Sequence, residues 1–343
     1  GDGALPAPLR AHAPMNHGER FRAVMAGEPT DRLPRWEWAT WWDETLRRWR
    51  GEGLPATLTD TFEIAEYFGL DPYRQFWFWT GRPAASAGLP AGEGPVANLA
   101  DYRRMRAELY PDPVGGLDAM RPWLARQGRG EAVVWATLDG FFWYARALLG
   151  IERHLEAFHE QPELLHAINA DLAEFHLGVV RGWARDAAPA FVTFAEDMSF
   201  NHGSMISKAM FDAFMLPYYA KVIPALRELG VVPIMDSDGD VTKMIPWLES
   251  AGLAAVLPLE RNAGVDGAAL RRSHPAFGLI GHFDKLTMTR GEAAMRAEWE
   301  RLVPLMQGGR FIPSVDHQTP PGVSLAEYRT YLGLLWEYTA RSL

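Results

Sequence analysis

The chain alternates short β-like runs with longer segments of helical periodicity, and this alternation constrains its fold more than any other feature. Eight runs predict strands, at residues 33–38, 75–79, 132–138, 190–195, 231–235, 254–258, 277–281 and 310–313. Helical candidates include residues 151–159, 162–184, 207–229, 241–250, 290–305 and 324–338. The pattern predicts an α/β protein, a single (β/α)8 TIM barrel over residues 15–343 with an N-terminal helical extension. An open doubly wound sheet is the alternative.

Composition excludes several classes of partner and cofactor. The 343 residues carry a net charge of -9 without long basic runs, which argues against nucleic acid and anionic membranes as partners. No stretch approaches the roughly 18 apolar residues of a membrane span. The absence of cysteine excludes thiolate ligands and disulfides and fits a cytoplasmic protein. Residues 1–14, rich in Ala and Pro, are expected to form a disordered tail or to be an expression remnant.

Acids, imidazoles and tryptophans follow the predicted strands. In a barrel, active sites gather where strands end and the following loops begin. The side chains at those ends are Glu37, Trp38, Trp79, Asp139, Glu196, Asp197, Asp236, Asp238, Glu260, His282, Asp284, Asp316 and His317. Acids after strands also cap helices, so a structural interpretation stays open for many of them. The tryptophans at the first strand ends suggest a flat or largely apolar substrate.

Residues 236–240 contain three acids in five positions with no lysine or arginine among them. Asp240 precedes a predicted helix and is expected to cap it. Asp236 and Asp238, with the later His317, offer two hard oxygen ligands and one imidazole for a divalent ion. A D-x-D spacing is common, so the spacing alone does not establish a metal site.

Other candidates and chemistries are weaker. His282 is a second candidate for a ligand or an acid/base group, and His202 is a third. The remaining histidines at 154, 159, 166, 176 and 274 are expected to have structural roles. The chain has no phosphate loop, no Gly-x-Ser-x-Gly elbow and no His-Glu-x-x-His helix. A glycosidase pair formed by Glu37 and Glu196 is a distant alternative.

Several short segments occur in a recognisable order, namely residues 19–21, 31–34, 196–198, 236–239, 258–260, 281–285 and 313–321. This order resembles the uroporphyrinogen decarboxylase superfamily from about Met15 to the C-terminus. That superfamily is a (β/α)8 barrel with two chemistries, decarboxylation of tetrapyrrole acetate groups and zinc-dependent methyl transfer involving a corrinoid protein. True decarboxylases hold substrate carboxylates with an arginine-containing segment after the first strand. Here residues 36–42 read WEWATWW, so tetrapyrrole decarboxylation is not expected.

The methyltransferase branch implies a metal site and a partner. That branch has His-x-Cys-Gly after the fifth strand and a further Cys near the C-terminus, and Asp236, Asp238 and His317 stand at those positions. Metal-capable groups are therefore kept, although each ligand type differs from the family pattern. Oxygen ligands leave an ion harder and suit polarisation of an ether oxygen better than binding of sulfur. The resemblance implies a divalent metal, with zinc as first choice, a corrinoid supplied by a partner protein, and a homodimer.

The resulting hypothesis is a metal-dependent methyltransferase or demethylase that moves a methyl group from a small O-methyl substrate, aromatic compounds included, to a corrinoid protein. In it the metal ligands are Asp236, Asp238 and His317. The catalytic candidates are Glu196, Asp197, Glu260 and His282. The substrate-binding candidates are Glu37, Trp38, Trp41, Trp79 and His202. The alternatives are a decarboxylase of a small or tetrapyrrole-like acid and a non-catalytic barrel that binds a corrinoid or another small molecule.

Overall fold

The computed structural model describes residues 14–184 and 187–341. Within them, seven parallel strands form one sheet in the order β1-β2-β3-β6-β7-β8-β9, and β4 and β5 form a small antiparallel hairpin. The strands are β1 Tyr73–Phe78, β2 Val133–Asp139, β3 Phe191–Ala195, β4 Ser199–Phe200, β5 Gly203–Ser204, β6 Val232–Asp236, β7 Ala255–Leu257, β8 Gly278–Phe283 and β9 Phe311–Val315. The expected tail at residues 1–14 lies, apart from Pro14, outside the described residues.

Helices connect and cover the strands. They are α1 His17–Ala26, α2 Asp43–Gly51, α3 Thr61–Tyr67, α4 Leu99–Leu109, α5 Val114–Gly128, α6 Phe141–Leu149, α7 Ile151–Glu160, α8 Pro162–Arg181, α9 Lys208–Phe214, α10 Leu216–Glu228, α11 Ile245–Ala251, α12 Gly267–Ser273, α13 Glu292–Gln307 and α14 Leu325–Arg341. Three of them precede β1. Short 3₁₀ helices occupy Ala84–Ser86, Thr242–Met244, Arg261–Ala263 and Lys285–Arg290. Among the described residues, no helix is long and apolar enough to cross a membrane.

Seven of the eight predicted strands are confirmed, with ends that differ by at most two residues. β2 shows why they form: all seven of its residues are buried, as expected for a parallel strand covered on both faces. Each strand pairs in parallel with the next, and the carboxyl ends therefore meet at one side of the sheet.

The remaining predicted strand, residues 33–38 at the start of the series, is wrong, because the segment forms no ladder with either edge of the sheet. Its backbone groups bind side chains and isolated backbone groups instead, as where the Asp71 N–H donates to the Arg35 carbonyl at 2.9 Å. The Arg35 N–H donates to the Asp71 carboxylate at 3.1 Å, and the Trp38 N–H donates to the Ser314 hydroxyl at 3.5 Å. Pro34 has no N–H to donate. The segment nevertheless touches residues of both edge strands, since the Tyr73 hydroxyl donates to the Glu37 carbonyl.

The sheet is curled, because residues of distant strands line one apolar space. That space is lined by Trp36, Trp38, Tyr73, Trp135, Phe191, Leu257 and Ile280, which come from β1, β2, β3, β7, β8 and residues 33–38. The architecture is therefore an α/β fold with a curled seven-stranded parallel sheet. A continuous eight-stranded hydrogen-bonded barrel, as predicted, does not form within the described residues.

Two predicted helices begin or break differently in the structure. The predicted helix over residues 207–229 is two helices, α9 and α10, that meet at Met215 with a non-helical φ of -120°. The predicted helix over residues 241–250 starts with a 3₁₀ turn, where the Thr242 N–H donates to the Asp240 carboxylate at 3.0 Å. Asp240 therefore binds the start of the 3₁₀ turn, whereas α11 itself begins at Ile245 without a side-chain cap.

Candidate active site

Two adjoining cavities open at the carboxyl ends of the strands and share Ala195 and Asp197. We call them together the cleft. The larger cavity, of ≈ 500 Å³, lies beside the ends of β1 and β2 and the start of α6. The smaller, of ≈ 230 Å³, contains Asp236, Asp238 and His317. The three residues predicted to bind a metal therefore line the same cavity.

Three carboxylates come together on the cleft floor. Oxygen atoms of Asp197, Asp236 and Asp238 lie within 4.8 Å of one another. The register of β3 and β6 explains this closeness, since Ala195 pairs with Asp236 and the Glu196 N–H donates to the Asp236 carbonyl at 2.8 Å. Asp197 follows with a φ of 41°, a left-handed conformation that Asp tolerates better than most residues.

A second potential ligand group lies next to the first. It consists of Asp238, Glu260 and His317, again with ligand atoms within 4.8 Å of one another. The His317 Nε2 atom is 3.4 Å from the Asp238 carboxylate, and the Gly239 N–H donates to Glu260 at 2.7 Å. The predicted trio is thus divided between two groups that share Asp238. Strand order explains the division, because Asp236 ends β6 beside β3 whereas His317 follows β9.

The electrostatics of these groups suit a cation. Burial and the neighbouring charges of Asp197 and Asp238 raise the pKa of Asp236 well above its ordinary value. Burial and the Asp238 charge raise the pKa of Asp197 to about 6. A hydrogen bond to Asp238 raises the pKa of His317 despite its burial. One group offers three carboxylates and the other offers two carboxylates and one imidazole, and either is a hard ligand set that fits a divalent ion.

Glu196 is held by the protein rather than presented to the cleft. It is fully buried and accepts the N–H groups of Phe141, Phe142 and Trp143, at the start of α6, and the Tyr219 hydroxyl. Burial raises its pKa to about 7 against the opposing effect of these hydrogen bonds. These contacts correct its predicted catalytic role to one of positioning α6 and the adjacent Asp197.

The neighbouring site candidates Glu37 and Trp38 have different environments in the structure. Trp38 lines the smaller cavity, with its ring 6.0 Å from that of His317. Glu37 does not line the cleft. Its buried carboxylate accepts hydrogen bonds from the hydroxyls of Ser314, Tyr328 and Tyr331.

Three other predicted site residues lie in different places, and only one of them lines the cleft. Trp41 is 4% exposed and packs against Trp49, and so it is a core residue rather than a substrate contact. His202 is exposed on the turn between β4 and β5 and does not line the cleft. Trp79 lines the larger cavity and is 46% exposed.

His282 is corrected from a catalytic candidate to a buried structural residue. Its Nδ1 contacts the Leu259 carbonyl at 2.8 Å, and the Gly267 N–H donates to Nε2 at 3.1 Å. The Arg301 guanidinium lies 3.0 Å from Nε2. Burial, with the Arg301 charge second, lowers the pKa of His282 to about 4, so the ring is neutral at physiological pH.

The sequence interpretation missed part of the larger cavity. Asp139 ends β2 and accepts both the N–H of Thr80, at 2.8 Å, and its hydroxyl. Trp143 and Arg82 also line the cavity. Arg82 lies between β1 and α4, where no periodic signal predicted an element, and Trp143 is not among the predicted site residues.

A family model described as uroporphyrinogen decarboxylase (URO-D) matches residues 87–337, which is more than half of the chain. The chain belongs to this family. The family resemblance of the sequence is therefore confirmed. No curated protein matches the chain in sequence.

Solved structures of the same general fold include a methyltransferase from Methanosarcina mazei. The likeness has a TM-score of 0.64 at 14% sequence identity and covers 94% of this chain and 99% of that chain. A Listeria monocytogenes protein described as a vitamin-B12-independent methionine synthase is similar at a TM-score of 0.44 and 11% identity, over 91% of this chain and 97% of that chain. At these identities the first likeness concerns the fold alone.

Proposed function

We propose that this member of the URO-D family is a metal-dependent methyltransferase that removes the methyl group of a small O-methyl aromatic substrate and passes it to a corrinoid protein. The observation that carries the proposal is the closeness of Asp197, Asp236 and Asp238 beside a cavity walled by Trp79 and Trp143. The likeness in fold to a protein described as a methyltransferase is compatible with it.

Asp238 would hold the ion, together with Asp197 and Asp236 on one side or with Glu260 and His317 on the other. A divalent ion bound there would supply Lewis acidity toward a substrate oxygen. Replacement of the two thiolate ligands of the methyltransferase branch by the Asp238 carboxylate and the His317 imidazole makes this ligand set a poor match for a soft thiol. The residue types thus favour an oxygen-linked methyl group over a sulfur-linked one.

The protein's own side chains would manage the proton and the ring. When the methyl group leaves with transfer to a nucleophile, the substrate oxygen keeps the bonding electron pair and requires a proton to become a hydroxyl. Asp197 lines both cavities, and its carboxyl would supply this proton when the ion is held by Asp238, Glu260 and His317. Trp79 and Trp143 would place an aromatic ring in the larger cavity, with the methyl-bearing oxygen directed toward Asp197.

The decisive experiment compares purified protein before and after chelator dialysis. We expect one divalent ion per chain by elemental analysis, formation of a phenol from a methoxyarene with reduced cobalamin as methyl acceptor, and loss of turnover on dialysis that zinc or manganese restores. Asp236→Asn should lower metal affinity at least about tenfold, because it removes a charged ligand. The matched control Asp240→Asn alters only a cap and should bind metal normally. Full turnover in metal-free protein would contradict the proposal.

Decarboxylation is the competing reaction, and the raised pKa values of Asp197 and Asp236 favour its consideration, since a protonated carboxyl can deliver a proton to a carbanion. The reaction product distinguishes decarboxylation from methyl transfer. Release of carbon dioxide from an aromatic acid, without loss of a methyl group, would replace the methyl-transfer proposal. Binding of these compounds with neither product would indicate a non-catalytic barrel.

A further inference from the structure

The larger cavity has an apolar wall and a polar rim. Its wall includes the rings of Trp79, Trp143 and Tyr144 together with the side chains of Ala147 and Leu148. A volume of ≈ 500 Å³ falls within the usual range for small-molecule sites. Its inner end reaches Asp197 and thus the carboxylates of the cleft floor.

Arg82 lines this cavity and has no carboxylate partner among the described residues. Its side chain makes no ion pair or hydrogen bond within residues 14–184 and 187–341, although Asp139 lines the same cavity. Burial raises the pKa of Asp139, and the Arg82 charge opposes that rise, so the guanidinium is near the cavity but beyond contact with the acid. Asp139 is already bound by the N–H and hydroxyl of Thr80.

A second arginine strengthens the positive side of the cavity. The Arg146 guanidinium lies 5.4 Å from the centre of the Trp143 ring, and Trp143 lines the cavity. It too has no carboxylate within ion-pair distance in the described part of the chain. Its charge opposes the burial and the Asp238 repulsion that raise the pKa of Asp197. The aromatic wall thus lies between two cationic groups and a floor of acids.

We infer that the substrate is an aromatic carboxylate, bound with its ring in the larger cavity and its carboxylate on Arg82. The inference rests on the proposed function, because it places the methyl-bearing oxygen at the opposite end of the ring, beside Asp197. Repulsion by the floor acids disfavours the reverse orientation. A guanidinium presents paired N–H donors that match a carboxylate, and Arg82 has these donors free. A single lining arginine suits a monoacid rather than a polycarboxylate.

Binding of a matched ligand pair to the full-length chain tests this inference. The probes are 4-methoxybenzoate and the neutral 4-methoxybenzyl alcohol, measured by titration calorimetry. We expect wild type to bind the benzoate about tenfold or more tightly than the alcohol, as for a charge-assisted hydrogen bond. Arg82→Gln should remove this preference while leaving affinity for the alcohol unchanged. Arg82→Lys should keep part of it, because the charge remains without the paired donors.

The control is Arg103→Gln, an exposed arginine on α4 outside the cleft, which should leave both affinities unchanged. Equal binding of the two probes by wild type, a preference that survives in Arg82→Gln, or no binding of the benzoate would overturn the inference. Because binding is measured without any methyl acceptor, an Arg82-dependent preference without demethylation would refute only the proposed reaction. Demethylation of the alcohol with no response to Arg82→Gln would refute only the carboxylate subsite.

Discussion

At the scale of single residues, Glu37 is a buried acid whose protonation is coupled to folding. It is inaccessible to solvent, and burial raises its pKa to about 7 although Tyr328, Ser314 and Tyr331 donate hydrogen bonds to it. The native protein therefore keeps a proton on Glu37 at pH values where the unfolded chain has lost it. The stabilising contribution is complete below about 4.5, the ordinary value, and is lost as pH rises through about 7.

We expect Glu37→Gln to flatten the decline in unfolding free energy between pH 5 and pH 8. A shift from 4.5 to about 7 corresponds to an effect on the order of 3 kcal/mol at most. Denaturant unfolding of both proteins at the two pH values measures it. The exposed Glu28→Gln is the control and should keep the wild-type decline. An unchanged decline in Glu37→Gln would show that Glu37 is ionised in the native state.

The same residue scale shows what the sequence could predict of the site. The sequence correctly predicted that Asp236, Asp238 and His317 lie in one cavity, because each follows a strand and parallel strands end on the same side of the sheet. It could not distinguish Asp197, which lines the cleft, from its neighbour Glu196, which accepts the N–H groups of α6. The difference is set by the left-handed φ of Asp197 and by Gly140, neither of which has a periodic signal.

At the scale of elements, the start of α6 depends on a close approach that only glycine allows. A Cβ atom at Gly140 would lie 2.2 Å from the Glu196 carboxyl carbon and 2.5 Å from the Ala195 carbonyl oxygen. The carboxylate of Glu196 serves the first N–H groups of α6, which have no partners within the helix. Trp143, one wall of the larger cavity, is carried by this helix.

Gly140→Ala should therefore destabilise the protein by about 1–3 kcal/mol, as expected for overpacking, and should weaken ligand binding in the larger cavity. Gly178→Ala is the matched control, because nothing lies within 4 Å of its Cβ position in α8. It should be neutral or stabilising by up to about 1 kcal/mol. Equal unfolding free energies for the two variants would contradict the role given to Gly140.

Elements were predicted best where packing and periodicity agree. β2 is buried on both faces and reads as an apolar run, and its predicted limits differ by one residue at each end. Residues 35–38 alternate charged side chains with tryptophans, a strand-like period, yet the backbone groups of this segment bind Asp71, Tyr73 and Ser314. A periodic pattern does not reveal hydrogen-bond partners that are distant in sequence, which explains the wrong strand prediction for residues 33–38.

At the scale of the whole molecule, an ion bound only by the folded chain should stabilise it. The floor acids repel one another, and occupancy would relieve that repulsion as well as add binding free energy. At an ion concentration about 100 times the dissociation constant, the gain is about 2.7 kcal/mol. We expect added zinc to raise the melting temperature of wild type and of Asp240→Asn by several degrees. A similar rise in Asp236→Asn would place the stabilising ion elsewhere.

The two potential ligand groups have Asp238 in common, and the way this residue binds decides how many ions the molecule can hold. If Asp238 binds through one oxygen, it can serve only one group at a time, and titration should reach an endpoint at one equivalent per chain. An endpoint at two equivalents would instead indicate that the two oxygens of Asp238 bridge two ions. In the first case, an ion that shifted between the positions would exchange Asp197 and Asp236 for Glu260 and His317 and keep Asp238 as its one constant ligand.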